Sequence, residues 1–296
     1  MEPALFFSIV VPTYNRASYI GKTIRSLLDG NYPAFEIIVV DDGSTDNTES
    51  VVKNLEDSRL AYVRKTNGER GAARNYGARL AKGQYINFFD SDDVAYTNHL
   101  QEANRAAQNL LRPEVFHLGY DVKDAEGKLI RQVDDLSERV NDRLIDGNHL
   151  SCNGVFLRKD ICDQFPFSEN RMLSGSEDYE LWLRLASRFP VWGIPVITST
   201  VINHEFRSVL RINLNGFLTR IGLLRENLLK DSTFVTYYGH QLSKFHAYLE
   251  IYIALHLAMA GYPKRMVMKH LASAVLCRPK VLLTRRFLAA LKNTWI

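Results

Sequence analysis

Cysteine is scarce in this chain of 296 residues, which contains only Cys152, Cys162 and Cys277. Their odd number and wide spacing argue against a disulfide framework or a cysteine metal site, and they favour a reducing compartment. No apolar run reaches the roughly 18 residues that a membrane span needs. The N-terminus also lacks the basic region and cleavage site of a signal peptide. We therefore expect a cytoplasmic protein, able to lie on the inner face of the plasma membrane.

The net charge of +4 conceals a strong asymmetry along the chain. Residues 1–205 carry a net charge of −7 and residues 206–296 a net charge of +11. The basic end interleaves leucines with arginines and lysines, a pattern that predicts helices lying on an anionic membrane surface. The alternative is a helical cap with a solvated basic face. Because no nucleic-acid-binding motif is present, we expect no nucleic-acid partner.

Strand and helix signals alternate through the first 113 residues. Continuous apolar runs at residues 6–11, 36–40 and 85–89 are typical of strands covered on both faces. Between them lie amphipathic segments, such as the one carrying Ile20, Ile24 and Leu27. This alternation predicts an α/β fold with a mostly parallel central sheet and helices on both faces.

The later parts of the chain differ in character. Residues 114–208 read as mixed α and β structure, with a β-hairpin predicted from 115–122 and 128–133. From about residue 209 the pattern is helical. We therefore predict one large domain over 1–208, made of an alternating half (1–113) and a mixed half (114–208), followed by a basic helical C-terminal region over 209–296.

Three acidic clusters stand out: Asp41-Asp42, Asp90-Ser91-Asp92-Asp93 and Glu177-Asp178. The first two directly follow predicted strands, so they belong at the carboxyl edge of the sheet, where open α/β sheets bind their ligands. Carboxylates gathered there repel one another unless a cation lies between them. The pattern predicts a metal-dependent enzyme that acts on a nucleotide-linked substrate.

Five segments together resemble the inverting glycosyltransferases of family 2, which have a GT-A fold. They occur in the order typical of that family and cover roughly residues 6–208. The segments are SIVVPTYNR (8–16), EIIVVDDGSTD (36–46), ARNYG (73–77), DSDD (90–93) and EDYELW (177–182). The resemblance implies that 1–208 is the catalytic domain, with 1–113 as its nucleotide-binding half and 114–208 as its acceptor-side half.

The resemblance implies a nucleotide pocket between the first two strands. Asp41 would accept a hydrogen bond from the nucleobase, usually uracil, with Asp42 beside it. Pro12, Thr13 and Tyr14 would form the opposite wall, with Tyr14 able to stack on the base. A carboxylate can only accept hydrogen bonds, which suits the N–H of a base.

The resemblance also implies where the diphosphate and its cation bind. Arg70 and Arg74 would lie near the diphosphate, because a guanidinium matches phosphate oxygens. His204, just after the last strand, would lie close to the diphosphate or the metal.

The triplet Asp90-Ser91-Asp92 would bind Mg²⁺ or Mn²⁺ through hard oxygen ligands. Asp92 would contact the metal directly, Asp90 would lie closer to the ribose, and Ser91 would belong to the cofactor-binding residues. Asp93 would face the metal or the donor sugar.

Asp178 is the general base that the resemblance implies, taking the proton from the acceptor hydroxyl. Glu177 would support the site, and Trp182 would fix the helix that carries the base. Asn153 would lie near the acceptor or donor sugar.

The resulting prediction is an enzyme that moves a sugar from a nucleoside diphosphate, most simply UDP, to a saccharide or lipid-linked saccharide, in the synthesis of cell-surface polysaccharide. One alternative is a nucleotidyltransferase, but residues 12–16 replace the glycine-rich loop expected there. The other is an inactive nucleotide-sugar-binding scaffold, which would be expected to lose the metal triplet or the base. Both are present here.

Overall fold

Branched apolar residues dominate the segments at the centre of the sheet, as expected for strands with both faces covered. The structure, a computed structural model, describes residues 4–136, 138–204 and 213–295. Within these ranges ten strands join one sheet. They are β1 (Phe7–Thr13), β2 (Phe35–Asp41), β3 (Leu60–Arg64), β4 (Tyr85–Phe88), β5 (Val94–Ala95), β6 (Val115–Asp124), β7 (Leu129–Val133), β8 (Glu138–Arg139), β9 (Val155–Arg158) and β10 (Val191–Asn203).

The longer strands of the sheet mostly run in one direction. β1 to β4 pair in parallel in the order β3-β2-β1-β4, and β6 pairs in parallel with β10. β9 lies between β4 and β6 and is antiparallel to both, so β6 and β10 share the direction of β1. The short strands β5, β7 and β8 pair antiparallel to their neighbours. The predicted α/β fold with a mostly parallel sheet is confirmed, with one antiparallel strand inside it.

The carboxyl ends of the co-directional strands meet at one edge. Thr13 and Asp41, the last residues of β1 and β2, are paired in register. β4 ends at Phe88, two residues before Asp90, and β10 ends at Asn203, next to His204. The strand directions therefore gather the first two acidic clusters and the histidine at a single edge.

Helices cover both faces of the sheet. They are α1 (Ala17–Leu28), α2 (Thr48–Lys53), α3 (Glu69–Leu80), α4 (His99–Asn109), α5 (Asn141–Leu144), α6 (Lys159–Gln164), α7 (Glu177–Ala186), α8 (Leu214–Lys230), α9 (Ser232–Tyr238), α10 (Leu242–Met259), α11 (Lys264–Cys277) and α12 (Arg285–Asn293).

Side-chain alternation along β1 separates two hydrophobic clusters. Ile9 and Val11 point to one face and pack in a cluster with residues of α1 and α4, such as Ile24 and Leu100. Val10 points to the other face, in a cluster that includes residues of α3 and α7. The helix that carries Arg70 and Arg74 is thus on the same face as the helix that carries Glu177 and Asp178.

The C-terminal helices continue the second of these clusters. Phe217, Phe245 and Phe287 are buried in the same cluster as Trp182 of α7. The region therefore shares its hydrophobic core with the face of the sheet that α3 and α7 cover. The predicted boundary at 208/209 lies outside the described residues, and the first helix described after it is α8.

The predicted hairpin is confirmed as β6 and β7, which pair antiparallel. The two-residue strand β5, directly after the Asp90-Ser91-Asp92-Asp93 cluster, is not predicted from the sequence. Two residues are too few to show the alternation of apolar and polar side chains that marks a strand. The strand forms by pairing with Ser199 and Thr200 of β10.

Candidate active site

Asp41 and Asp42 form one wall of the site and are both buried. The oxygens of Asp41 accept hydrogen bonds from the Ser44 amide at 2.7 Å and the Tyr62 hydroxyl at 2.5 Å. Burial, aided by Asp41, raises the pKa of Tyr62 above its ordinary value, so this hydroxyl remains a donor. Asp42 accepts from Lys65 Nζ at 2.7 Å. A carboxylate oxygen has two lone pairs, so each oxygen of Asp41 can accept one further bond.

The end of β1 and the turn after it lie next to the two aspartates, since Thr13 is paired in register with Asp41. Pro12 and Thr13 are buried, while Tyr14 is 48% exposed. The buried hydroxyl of Thr13 has no hydrogen-bond partner among the described residues. A buried hydroxyl without a partner is costly, so it is a candidate for contact with a ligand. The exposed ring of Tyr14 is available for stacking.

The side chains of the Asp90–Asp93 cluster have different partners. Asp92 Oδ2 lies 3.1 Å from His204 Nε2 and 3.4 Å from Arg16 Nε. The His204 ring stacks on Tyr19 with ring centroids 4.6 Å apart. Asp92 is therefore the member of the cluster that faces His204, at the carboxyl end of β10.

Asp93 and Asn153 turn inward instead. Asn153 is fully buried, and its amide nitrogen donates to Asp93 at 2.8 Å. Its amide oxygen accepts from the backbone N–H of Asp90 at 2.9 Å. The Ile202 backbone N–H, on β10, also donates to Asp93 at 2.8 Å. Asn153 thus joins Asp90 and Asp93 and fixes the loop that carries Ser91 and Asp92.

Arg74 connects the acidic clusters. It is 2% exposed and donates to Glu177 at 2.7 Å and to Asp90 at 2.9 Å. Arg70 lies 3.7 Å from the same oxygen of Glu177. Burial opposes the charge on Glu177, but the two arginines outweigh it and hold the pKa of that carboxyl below its usual range. In this structure Arg74 therefore organises the acidic clusters, and its predicted contact with a diphosphate stays a prediction.

Asp178 is the second residue of α7, as the sequence predicts. Its oxygens accept from the Tyr179 backbone N–H at 2.7 Å and from Asn148 Nδ2 at 3.0 Å. Burial raises the pKa of Asp178 to about 6, and the neighbouring Glu177 carboxylate adds to the rise while Arg74 opposes it. A carboxylate whose pKa is raised in this way can accept a proton near neutral pH.

Trp182 is almost fully buried and supports the site indirectly. Its ring meets Phe167 edge to face, with centroids 5.9 Å apart. The guanidinium of Arg74 lies 5.2 Å from the centre of the Phe167 ring. Trp182 and Phe167 therefore pack behind Arg74, which in turn contacts Glu177.

Some side chains contact the site without having been predicted to do so. They are Arg16, Tyr19, Lys65 and Asn148. Arg16 is the last residue of the first recognisable segment, so its position in the sequence could have indicated that it lies near the site. Tyr19 and Asn148 contact residues that are far away in the sequence, so the sequence pattern does not predict these contacts.

The residues present fit a cation that is shared with a diphosphate. In the part of the chain that the structure describes, no group of three or more His, Cys, Asp or Glu side chains converges on one point. Asp92 and His204 offer two ligands, and Mg²⁺ sites that hold substrate phosphates commonly use only one or two from the protein. The buried Nδ1 of His204 has no partner among the described residues, so stacking on Tyr19 orients the ring.

The fold, with carboxylates at the carboxyl edge of its sheet, is of the GT-A type. Residues 8–155 match the family described as Glycosyl transferase family 2, and the chain belongs to that family. An uncharacterized glycosyltransferase of Haemophilus influenzae is 31% identical over 209 residues, which is 69% of this chain and 78% of that protein. One of Rickettsia bellii is 30% identical over 191 residues, covering 63% of this chain. The chain spans 27% of the length of the Rickettsia bellii protein and 32% of a Rickettsia felis relative.

Structures of TarS from S. aureus have a similar fold. TarS 1–349 in complex with UDP-GlcNAc has a TM-score of 0.64 at 19% identity, over 94% of this chain and 90% of that one. Another TarS structure has a TM-score of 0.68 at 21% identity, over 98% of this chain and 54% of that one. The similarity extends beyond the family match and includes the C-terminal helices.

Proposed function

We propose that this protein is a metal-dependent inverting glycosyltransferase. In this proposal it transfers a sugar from a UDP-sugar to a hydroxyl of a saccharide or lipid-linked saccharide, in the synthesis of cell-surface polysaccharide. One observation carries the proposal. Arg74 bonds to Asp90 of the donor-side cluster and to Glu177, the neighbour of Asp178, at 2.9 and 2.7 Å. A candidate base with a pKa of about 6 is thereby held to the cluster that would bind the donor.

Asp178 would act on the acceptor. Inverting transfer needs one carboxylate that removes the proton of the acceptor hydroxyl while that oxygen attacks the anomeric carbon from the face opposite the leaving group. General-base catalysis of this kind contributes about 10²–10⁴-fold to the rate. The raised pKa keeps Asp178 basic enough to take the proton, and Asn148 holds one of its oxygens.

Asp92 and His204 would hold the cation on the donor side. When bound, Mg²⁺ or Mn²⁺ supplies positive charge that stabilises the departing diphosphate. Arg16, 3.4 Å from Asp92, adds a fixed positive charge beside the same position. Asp41, Asp42, Thr13 and Tyr14 would hold the nucleoside.

A UDP-sugar is the donor class that the neighbours favour, because TarS structures hold UDP-GlcNAc and UDP. Within this chain, a buried carboxylate wall and an unpartnered Thr13 hydroxyl suit a base with both N–H and C=O groups, such as uracil. We use UDP-GlcNAc as the first probe.

The exposed side chains of the C-terminal region favour an anionic membrane surface as a further partner. Leu276 is 86% exposed and Leu283 is 87% exposed, beside the basic residues Arg278, Lys280 and Arg285. Exposed leucines among cations match the headgroup boundary of an anionic bilayer. Among the described helices, none is both long and apolar enough to cross a bilayer. We propose a cytoplasmic enzyme that associates peripherally with the inner face of the plasma membrane.

The first test is calorimetric titration with UDP, GDP and CDP, each with and without Mn²⁺. We expect UDP to bind more tightly with Mn²⁺ than without it, and we expect Asp92→Ala to abolish that gain. Asp163→Ala is the matched control, because it removes an exposed carboxylate on α6. Binding of UDP that is equally tight with and without Mn²⁺ would contradict metal dependence. Binding of none of the three nucleotides would contradict the proposal and the nucleotide-sugar-binding scaffold alike.

A further inference from the structure

Two loops flank Asp178, and each is contacted by an arginine from the C-terminal helices. The first loop, residues 145–149, carries Asn148, which donates to Asp178 at 3.0 Å. The second, residues 174–176, directly precedes Glu177 and Asp178 at the start of α7. The position of the candidate base therefore depends on where these two loops lie.

The first loop is held by α10 and α12. Arg286 of α12 donates to the backbone carbonyl of Asp146. Lys244 of α10 lies 2.8 Å from the Asp146 carboxylate, which also contacts His149 at 2.8 Å. Burial opposes the charge on Asp146, but His149 and Lys244 outweigh it and lower the pKa of this carboxyl.

Gly147 shows how closely Arg286 approaches the loop. Its φ is +149°, a conformation that side-chain-bearing residues rarely adopt. A Cβ atom placed there would collide with the guanidinium of Arg286. The glycine thus permits both the backbone conformation and the contact with α12.

The second loop repeats this arrangement on the other side of Asp178. Gly175 has a φ of +89°, and a Cβ there would lie 2.5 Å from the guanidinium of Arg220 on α8. Arg220 also donates to the Ser174 carbonyl at 3.4 Å. The Gly175 backbone N–H donates to Glu177 at 2.5 Å, so this loop fixes the carboxylate next to the base.

From these contacts we infer that the C-terminal helices position the catalytic carboxylate, with Asn148 as the positioning residue and Arg286 and Arg220 as the residues that hold its loops. The inference rests on the proposed function of Asp178 as general base. It assigns to residues beyond the family match at 8–155 a direct part in building the active site.

The kinetic test compares variants of the full chain by UDP release from UDP-GlcNAc with Mn²⁺. Asn148→Ala and Arg286→Ala should each lower kcat about tenfold or more while leaving the donor KM within about twofold, because misplacing a catalytic group weakens the chemical step and not donor binding. Arg225→Ala, an exposed arginine on α8, is the matched control and should keep wild-type kcat. Arg286→Lys should restore part of the loss. Wild-type kcat in both Asn148→Ala and Arg286→Ala would overturn the inference.

A second measurement separates this inference from the proposed function. Titration of the Asp178 carboxyl carbon by ¹³C NMR, assigned with Asp178→Asn, needs no turnover. The charged groups acting on it are Glu177, Arg74, Asp90 and Arg70, which Asn148→Ala leaves in place. Loss of the Asn148 donor should raise the pKa of Asp178, since a bond to the charged form is removed. An unchanged pKa would overturn the positioning role. A raised pKa in a protein whose wild type releases no UDP would instead refute the proposed function alone.

Discussion

At the scale of single residues, the acidic clusters contain side chains of two kinds. Asp93 and Glu177 are buried and bonded within the protein, and they hold the loops in place. Asp92 and Asp178 are less buried and lie where a ligand can reach them. The sequence predicts all four as site residues, because each lies in a recognisable segment. The resemblance already separates Glu177 from Asp178, but it does not show that Asp93 is held inside the protein, since that depends on its bond to Asn153.

The raised pKa of Asp178 predicts the pH dependence of the reaction. A general base works in its deprotonated form, so activity is lost as the pH falls through its pKa of about 6. We expect log kcat/KM for UDP release to rise with a slope of about 1 below that pH and to level off above it. Rates at closely spaced pH values between 4.5 and 8 test this. A profile that is flat through pH 6 would rule out Asp178 as the titrating base.

Asp178→Asn tests the same residue by substitution. Asparagine has the same shape but cannot take a proton, so kcat should fall by about 10²–10⁴-fold. The UDP affinity should stay within about twofold of wild type, because the predicted nucleoside contacts lie elsewhere. Turnover at the wild-type rate would remove the assignment. Glu177→Gln is an informative comparison, since it should weaken folding through loss of a buried ion pair with Arg74.

At the scale of elements, α3 carries both arginines and packs tightly against the sheet. Gly77 lies where a Cβ would collide with Val10 of β1 and would come within 2.9 Å of Val40 of β2. The helix is predictable from sequence, but its close approach is not. That approach depends on which strands lie beneath it, and these are set by the strand order.

Gly77→Ala should therefore destabilise the protein, although alanine normally favours a helix. Overpacking of this kind costs about 1–3 kcal/mol. Gly222→Ala is the opposite case, because a Cβ there meets nothing within 4 Å in the middle of α8. It should stabilise by about 0.5–1 kcal/mol. Urea unfolding of both variants measures the two free energies, and equal effects at the two sites would contradict the packing of α3.

At the scale of the whole molecule, the C-terminal region is both a cap and a charged surface. Val281, Phe287 and Ala290 are buried in the common core, while Leu276, Leu283 and Leu288 stay exposed. The sequence pattern predicts helices with basic flanks but cannot say which leucines face outward. That choice follows from the packing of α11 and α12 against α10, which only the folded chain defines.

Membrane association should be tested by surface substitution, because deletion from Arg278 would uncover the core that α12 covers. Leu276→Asp combined with Leu283→Asp should weaken binding to phosphatidylglycerol-containing vesicles at least about tenfold, by removing apolar contact and adding negative charge. Leu129→Asp with Ile130→Asp, on the exposed strand β7, is the matched control. Vesicle co-sedimentation measures the effect. Equal binding by the two double variants and wild type would refute the membrane proposal.

The buried bridge made by Asn153 limits how this protein can be recombined with its relatives. One amide joins the backbone of Asp90 and the side chain of Asp93, which belong to the predicted nucleotide-binding half, to a residue of the predicted acceptor-side half. A chimera that exchanges residues 114–204 to obtain a new acceptor must therefore bring an asparagine to this position. Without it, the exchange would also disturb the Asp90–Asp93 cluster, to which the proposal assigns the donor, so the two halves are not independently exchangeable.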